Sequence, residues 1–188
     1  MARFHCLFCH GYEDRGASSV GVLAVEDCAP AGATIHVANY ALRLADNVVI
    51  YTNGDAATIS SIKEALSQLR PESKSRRNIS INEKKITKLV KLPKGAEVEV
   101  VLEDGERKTE GFLVHKPVGK LNGNWVEQLG LDTTEQGQIK VNFPFNETSV
   151  PGVFAVGDCG TMMQAVTSAI SMGGAAAAGV AAQLEAED

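Results

Sequence analysis

Cys6-Leu7-Phe8-Cys9-His10 places two cysteines three positions apart. That spacing lets the pair close a small disulfide ring and reopen it, one thiolate attacking while the other resolves. His5 and His10 flank the pair, and an imidazole titrating near neutral pH can take a proton from a thiol. Three other uses of the pattern stay open. Cys-x-x-Cys-His is also the attachment pattern for c-type haem, which would need export and an axial ligand. Half of a zinc site is a second use, although Cys28 and Cys159 stand alone and supply no further Cys-x-x-Cys knuckle. A purely structural pair is the third. No metal-ligand set is assigned.

The other group of residues that could do chemistry is Gly152-Val153-Phe154-Ala155-Val156-Gly157-Asp158, followed by Met163-Gln164-Ala165. An apolar strand ending in Gly157-Asp158 would set a carboxylate at its edge, able to accept hydrogen bonds from a chain of hydroxyls. A helix starting near Met163, Gln164 and Ala165 would offer free N–H groups and partial positive charge to an electron-rich ring. The alternative is a surface turn with Asp158 capping the helix.

The elements that would position these residues follow from periodicity. Ser19 to Val25 and Asn47 to Thr52 read as apolar strands joined by a helix from Thr34 to Ala45, a parallel βαβ pattern closed by the turn Asn53-Gly54-Asp55. A short helix reaches Leu69. β-rich stretches cover Ile79 to Leu89, Ala96 to Leu102 and Lys108 to Val114, the last two joined as a hairpin at Glu103-Asp104-Gly105. Trp125 to Leu131 reads as a short helix, and Ile139 to Asn142 and Gly152 to Val156 as strands. An Ala- and Gly-rich helix closes the chain.

Hydrophobic residues make up 44% and charged residues 22% of 188, enough apolar material for a buried core. The net charge of −5 argues against nucleic acid as a partner. The basic cluster Lys74, Arg76, Arg77 is expected as a solvated loop. No signal peptide is expected, because no apolar run follows Met1-Ala2-Arg3. The uncharged stretch from Cys159 to Leu184 is too rich in small residues for a membrane span, so it is expected as a helix packed closely on other backbone. The sparse cysteines point to a reducing compartment, the cytoplasm.

Cys-x-x-Cys-His-Gly-Tyr-Glu-Asp-Arg-Gly at Cys6–Gly16, Tyr-Thr-Asn-Gly at Tyr51–Gly54, and Asn-Glu-Thr-Ser-Val-Pro-Gly-Val-Phe-Ala-Val-Gly-Asp at Asn146–Asp158 together resemble thioredoxin-reductase-like flavoproteins. The closest likeness is to the fungal dithiol oxidases that close disulfides in gliotoxin-type natural products, a setting in secondary metabolism. The resemblance covers nearly the whole chain. It implies an α/β fold in which residues 1–17 carry the redox segment, 18–116 a Rossmann-like pyridine-nucleotide lobe and 117–188 the C-terminal portion of an FAD-binding lobe. It implies Cys6 as the substrate-facing thiol, Cys9 beside the flavin, and His10 where thioredoxin reductases carry an acidic proton-transfer residue. Gly157 and Asp158 would lie at the ribityl chain of FAD, and Met163, Gln164 and Ala165 at the pyrimidine end of its ring. A small-molecule dithiol or disulfide is the implied substrate, and a homodimer the implied assembly.

Two departures from that pattern shape the expectations. The family's Gly-x-Gly-x-x-Gly segment for the FAD pyrophosphate is not among these residues, so the chain by itself is expected to bind FAD weakly or not at all. The first strand of the pyridine-nucleotide lobe runs into Glu26-Asp27-Cys28-Ala29-Pro30 with no glycine turn, and no Arg follows Tyr51-Thr52-Asn53-Gly54-Asp55. NADPH is therefore not supported. The leading expectation is oxidation of a small dithiol with oxygen as final acceptor. An NADPH-dependent thioredoxin reductase and a truncated non-catalytic remnant are the rivals.

Overall fold

The computed structural model describes residues 3–187, apart from the side chains of His10 and Glu187. The chain divides into two compact units, Met1–Val118 and Gly119–Asp188.

The first unit is built on a parallel sheet of five strands. These are β1 (Arg3–Phe4), β2 (Ala17–Leu23), β3 (Ala45–Tyr51), β4 (Ile79–Asn82) and β8 (Leu113–Val114), in the order β1-β8-β2-β3-β4. The helices are α1 (Leu7–His10), α2 (Ala31–Ala41), α3 (Ala56–Ser67) and α4 (Lys74–Asn78). Alternation along a strand sends successive side chains to opposite faces. Val20, Val22, Val48 and Ile50 point to the face where Ala38 and Ala41 of α2 and Ile62 and Leu66 of α3 complete a buried core. Leu23, Tyr51 and Leu113 point the other way, onto a three-stranded antiparallel sheet of β5 (Ile86–Lys91), β6 (Val98–Leu102) and β7 (Arg107–Glu110), where Val98, Val100 and Leu102 meet them. The unit is thus an α/β three-layer structure, and the βαβ pattern and the hairpin at Glu103-Asp104-Gly105 are both present.

Between the two sheets lies a buried polar knot. The hydroxyls of Tyr51 and Ser19 each donate to the Glu110 carboxylate at 2.5 Å. Burial pushes the Glu110 carboxyl up, against the pull of these two donors, and burial with the neighbouring Glu110 charge pushes the Tyr51 phenol up as well.

Several boundaries differ from the expectation. α2 begins at Ala31 with Pro30 at its cap, where a fixed φ suits a helix start. Thr34, the expected first residue, lies buried inside the helix, its hydroxyl donating back to the Cys28 carbonyl. The stretch Ile79–Leu89 is two strands in different sheets, separated at Glu83-Lys84-Lys85. The basic cluster is helix α4 rather than a loop. Ser73 caps it by accepting the Arg76 N–H, and Lys74 reaches the Leu42 carbonyl at 3.0 Å.

The second unit holds α5 (Trp125–Leu129), a 3₁₀ turn at Gly157–Cys159 and the 22-residue helix α6 (Val166–Glu187). The expected strands at Ile139 and Gly152 are reduced to single bridges, Thr133↔Ile139, Asn142↔Glu147 and Glu147↔Phe154. Asn146 at φ 61 and the turn at Pro151-Gly152 stop each ladder from propagating. Small residues let α6 come close to its neighbours. A Cβ on Gly179 would stand 2.7 Å from the Phe145 side chain and 3.0 Å from the Phe154 ring. Among the described residues no helix is long and apolar enough to cross a membrane.

Candidate active site

Phe4 anchors the redox segment. It pairs with Val114 in the sheet, and its ring packs 5.3 Å from that of Phe112. The chain then leaves the C-terminal end of β1, the edge at which parallel sheets expose their functional residues. One turn of helix follows. Because positions three apart share a helix side, Cys6 at the cap and Cys9 in the turn meet, and they form a disulfide with Cα atoms 5.4 Å apart. Leu7 tucks into the core, which leaves Cys6 half-buried and Cys9 exposed.

The Cys6 sulfur accepts the Cys9 N–H at 3.1 Å. A donor aimed at that sulfur favours its thiolate when the disulfide opens. His5 is exposed and makes no hydrogen bond to either sulfur among the described residues. The side chain of His10 lies outside the described residues.

A cleft of about 330 Å³ opens at the same sheet edge, lined by Ala24, Val25, Glu26, Ala29, Thr52, Asn53, Asp55 and Thr58. Carboxylates of this chain hold the positions around it. Asp55 caps α3, accepting the Thr58 N–H at 2.7 Å, and that bond holds its carboxyl below the usual range. Glu26 adopts φ 52, accepts the Val118 N–H at 3.4 Å and comes within 3.3 Å of His115 Nε2. Burial, then the nearby Arg3 charge, pushes the His115 imidazole down, so it is neutral at physiological pH. Where a glycine turn would let a pyrophosphate approach, a 3₁₀ turn at Glu26–Cys28 stands instead, with Cys28 buried and its thiol pushed up by burial. The Asp55 cap and the buried His115 were missed in the sequence. Asp55 follows a turn signal and precedes a helix, which is a legible cap pattern. Nothing in the sequence places His115 against Glu26.

In the second unit, the bridge strand at Phe154 runs into Gly157, which takes φ 70, a conformation that favours glycine. A side chain there would meet Ala169 of α6 at 3.5 Å. This sets Asp158, exposed and without a hydrogen-bond partner among the described residues, beside the opening turns of α6. Asp158 does not cap the helix. Met163, Gln164 and Ala165 are exposed immediately ahead of Val166, and the Ala165 carbonyl accepts the Ala169 N–H. The Met163 N–H donates to the Thr161 hydroxyl at 3.1 Å and the Gln164 N–H to the Met162 carbonyl at 3.0 Å, so the donors left to a ligand are those of the first turn of the 22-residue helix itself, which beside the unpartnered Asp158 carboxylate suit hydroxyls and an electron-rich ring edge. Among the described residues no group of three or more His, Cys, Asp or Glu could hold a metal ion.

The structure therefore gathers Cys6, Cys9 and His5 in the first unit, and Gly157, Asp158, Met163, Gln164 and Ala165 in the second. The family profile described as pyridine nucleotide-disulphide oxidoreductase matches residues 32–173. A protein of Gibberella zeae named thioredoxin reductase is 46% identical over 97% of this chain and 52% of its own length. Thioredoxin reductase aclD of Aspergillus oryzae is 41% identical over 96% of this chain and 55% of its own. The crystal structure of an oxidoreductase from Agrobacterium tumefaciens matches with a TM-score of 0.71 at 25% identity, covering 100% of this chain and 57% of that one. The chain spans about half the length of the curated relatives it matches.

Proposed function

Because this chain belongs to the pyridine nucleotide-disulphide oxidoreductase family and is thioredoxin-reductase-like, we propose that it carries the dithiol-exchange centre of an FAD-dependent enzyme that oxidises a small-molecule dithiol to a disulfide, with oxygen as final acceptor, in fungal secondary metabolism. The observation that carries this reading is the Cys6–Cys9 disulfide at the sheet edge, with the Cys6 sulfur held by the Cys9 N–H.

In this reading a substrate thiolate attacks the Cys6 sulfur. The Cys6–Cys9 bond breaks and Cys9 leaves as a thiolate. The second substrate thiolate then attacks the substrate sulfur of the mixed disulfide and expels Cys6, whose thiolate the Cys9 N–H stabilises. Two electrons pass to the protein, and the two substrate protons go to bases, the role of His5 and His10. Bound FAD would supply a two-electron acceptor for the reduced Cys6–Cys9 pair, one that oxygen can reoxidise with formation of hydrogen peroxide. Asp158 is the residue to hold its ribityl hydroxyls, with Gly157 shaping the turn. In this reading the segment Met163, Gln164 and Ala165 lies at its pyrimidine edge, with the first turn of α6 behind it. A cytoplasmic homodimer is the assembly and setting that accompany this reading.

The acidic lining of the sheet-edge cleft supports oxygen rather than NADPH as the partner in electron transfer. Glu26 and Asp55 face the space a polyanionic cofactor would enter. The relatives' printed names favour the second reading, an NADPH-driven thioredoxin reductase. With FAD-loaded full-length protein in air, a simple dithiol should be converted to its disulfide with oxygen uptake. Cys6→Ser should lower that rate by about 1000-fold or more, since no mixed disulfide can form. Undiminished turnover in Cys6→Ser would refute the reading.

A further inference from the structure

Gly11 closes the redox turn, and space rather than backbone freedom fixes its type. It is buried, and its φ of −73° suits any residue. A Cβ there, however, would stand 2.7 Å from the Leu7 carbonyl oxygen and 2.9 Å from Leu44 Cδ1. The first of these contacts is backbone and cannot rotate away. The Gly11 N–H donates to that same Leu7 carbonyl at 2.9 Å, the bond that ends α1.

Leu44 holds the segment at two points. Its side chain lies against Gly11 and packs on the core of the first unit, and its carbonyl accepts the Gly16 N–H at 2.7 Å. Leu7 packs on the same core. Within this four-residue helix the Cys9 N–H reaches the Cys6 sulfur at 3.1 Å, a bond whose distance and angle depend on the winding of the turn. A side chain at position 11 must displace the Leu7 carbonyl, and Leu7 lies between the two cysteines in the chain.

We propose that Gly11 and Leu44 are positioning residues of the exchange centre: the bare Gly11 Cα, with Leu44 against it, keeps α1 wound so that the Cys9 N–H stays on the Cys6 sulfur and favours its thiolate. The proposal rests on the dithiol-exchange reading above. Neither residue gives or takes electrons; both act through the turn. The charged and titratable residues carried by the segments beside the turn are Arg3, His5, His10 and the run Glu13-Asp14-Arg15, with His36 and Arg43 on α2. Substitution at Gly11 or Leu44 alters none of them, so a changed pH profile of Cys6 reads the turn.

The test needs no flavin. The full chain is reduced, freed of reductant without air and treated with iodoacetamide from about pH 5 to about pH 10, and fragmentation mass spectrometry gives the labelling rate of Cys6 itself. At about pH 6.5 Gly11→Ala should label about 10-fold more slowly than wild type, the effect of losing one hydrogen bond to a charged group. The difference should close by about pH 10, where both forms are thiolates. Leu44→Ala should lose about 3-fold at the lower pH, a partial loosening of the same bond. Added to Gly11→Ala it should recover part of that variant's loss, because residue 11 can then move into the vacated space. Circular dichroism checks folding. A Gly11→Ala profile that overlays wild type overturns the proposal and leaves the exchange reading standing. A loss of equal size at every pH also overturns it, since that reports access to the sulfur and not its charge. Should Gly11→Ala fail to fold, Leu44→Ala alone decides, and an unchanged profile overturns the proposal. If wild-type Cys6 is labelled no faster at about pH 6.5 than Cys159, whose thiol donates to the Val156 carbonyl, the exchange reading and the proposal fall together.

Discussion

The first unit closes its own core and the second barely does. Between them, two sheets and α2 and α3 bury Val20, Val22, Val48, Ile50, Ile62, Val100 and Phe112 to zero exposure. Among its described residues the second gathers Leu131, Ile139 and Ala155 into a small cluster, its strands shrink to single bridges, and Val166 and Ile170 on α6 stay 77% and 69% exposed although Ala176 is buried. The difference teaches where each kind of residue can work. The disulfide lies in the helical turn that follows β1, which pairs with β8 in the first unit's sheet, and this suits a group that must meet two partners in fixed geometry. The residues proposed to hold the flavin sit on a turn and a helix start, whose order comes from few buried contacts of their own.

Cutting into each core breaks this comparison most strongly. Ile50→Ala should destabilise the first unit by about 4 kcal/mol and Ile139→Ala the second by about 2 kcal/mol, because a cavity in a well-packed layer collapses less. Trp125, the chain's one tryptophan, reports the second unit, and the tyrosine near-ultraviolet signal of buried Tyr51 reports the first. Denaturant titrations read at both signals should separate the two effects; equal shifts at both would break the comparison. Next comes the buried polar knot. Glu110→Ala removes the acceptor of Tyr51 and Ser19 and should cost the first unit about 2 kcal/mol. Glu110→Gln sharpens the point. The Glu110 carboxyl is raised in the fold, so the stability tied to its protonated form is present at low pH and lost as pH rises through its folded value. The glutamine variant should flatten that decline at the tyrosine signal while leaving the tryptophan signal's pH dependence as it was. The smallest effect is at α4. Ser73→Ala removes the cap that accepts the Arg76 N–H and should cost about 1 kcal/mol, measured as a lower denaturation midpoint of the first unit.

The same contrast explains how much could be read in advance. β2, β3 and the β6–β7 hairpin were legible because each pairs with another strand of the same unit, so alternation and turn residues agree with the final partners. The Cys6–Cys9 pair was legible because its geometry is local, closed within four residues. The strands expected at Ile139 and Gly152 failed because local pattern cannot supply a ladder partner. The break at Glu83-Lys84-Lys85 was hidden because two strands of similar composition go to different sheets. α4 was misread because its charges looked like a solvated loop, although Lys and Arg are good helix formers once Ser73 caps the first turn. The acidic residues after β2 were visible in sequence, but the approach of Glu26 to His115 joins positions far apart in the chain and follows only from the sheet order β8-β2.

Anaerobic reduction of the flavin in the FAD-loaded full-length protein tests the central claim most directly. A small dithiol should bleach the flavin within the turnover time through Cys6 and Cys9, while NADPH at micromolar concentration should leave it oxidised, because Glu26 and Asp55 line the cleft it would need. Rapid bleaching by NADPH, with dithiol ineffective, would contradict the account and establish the reductase in its place.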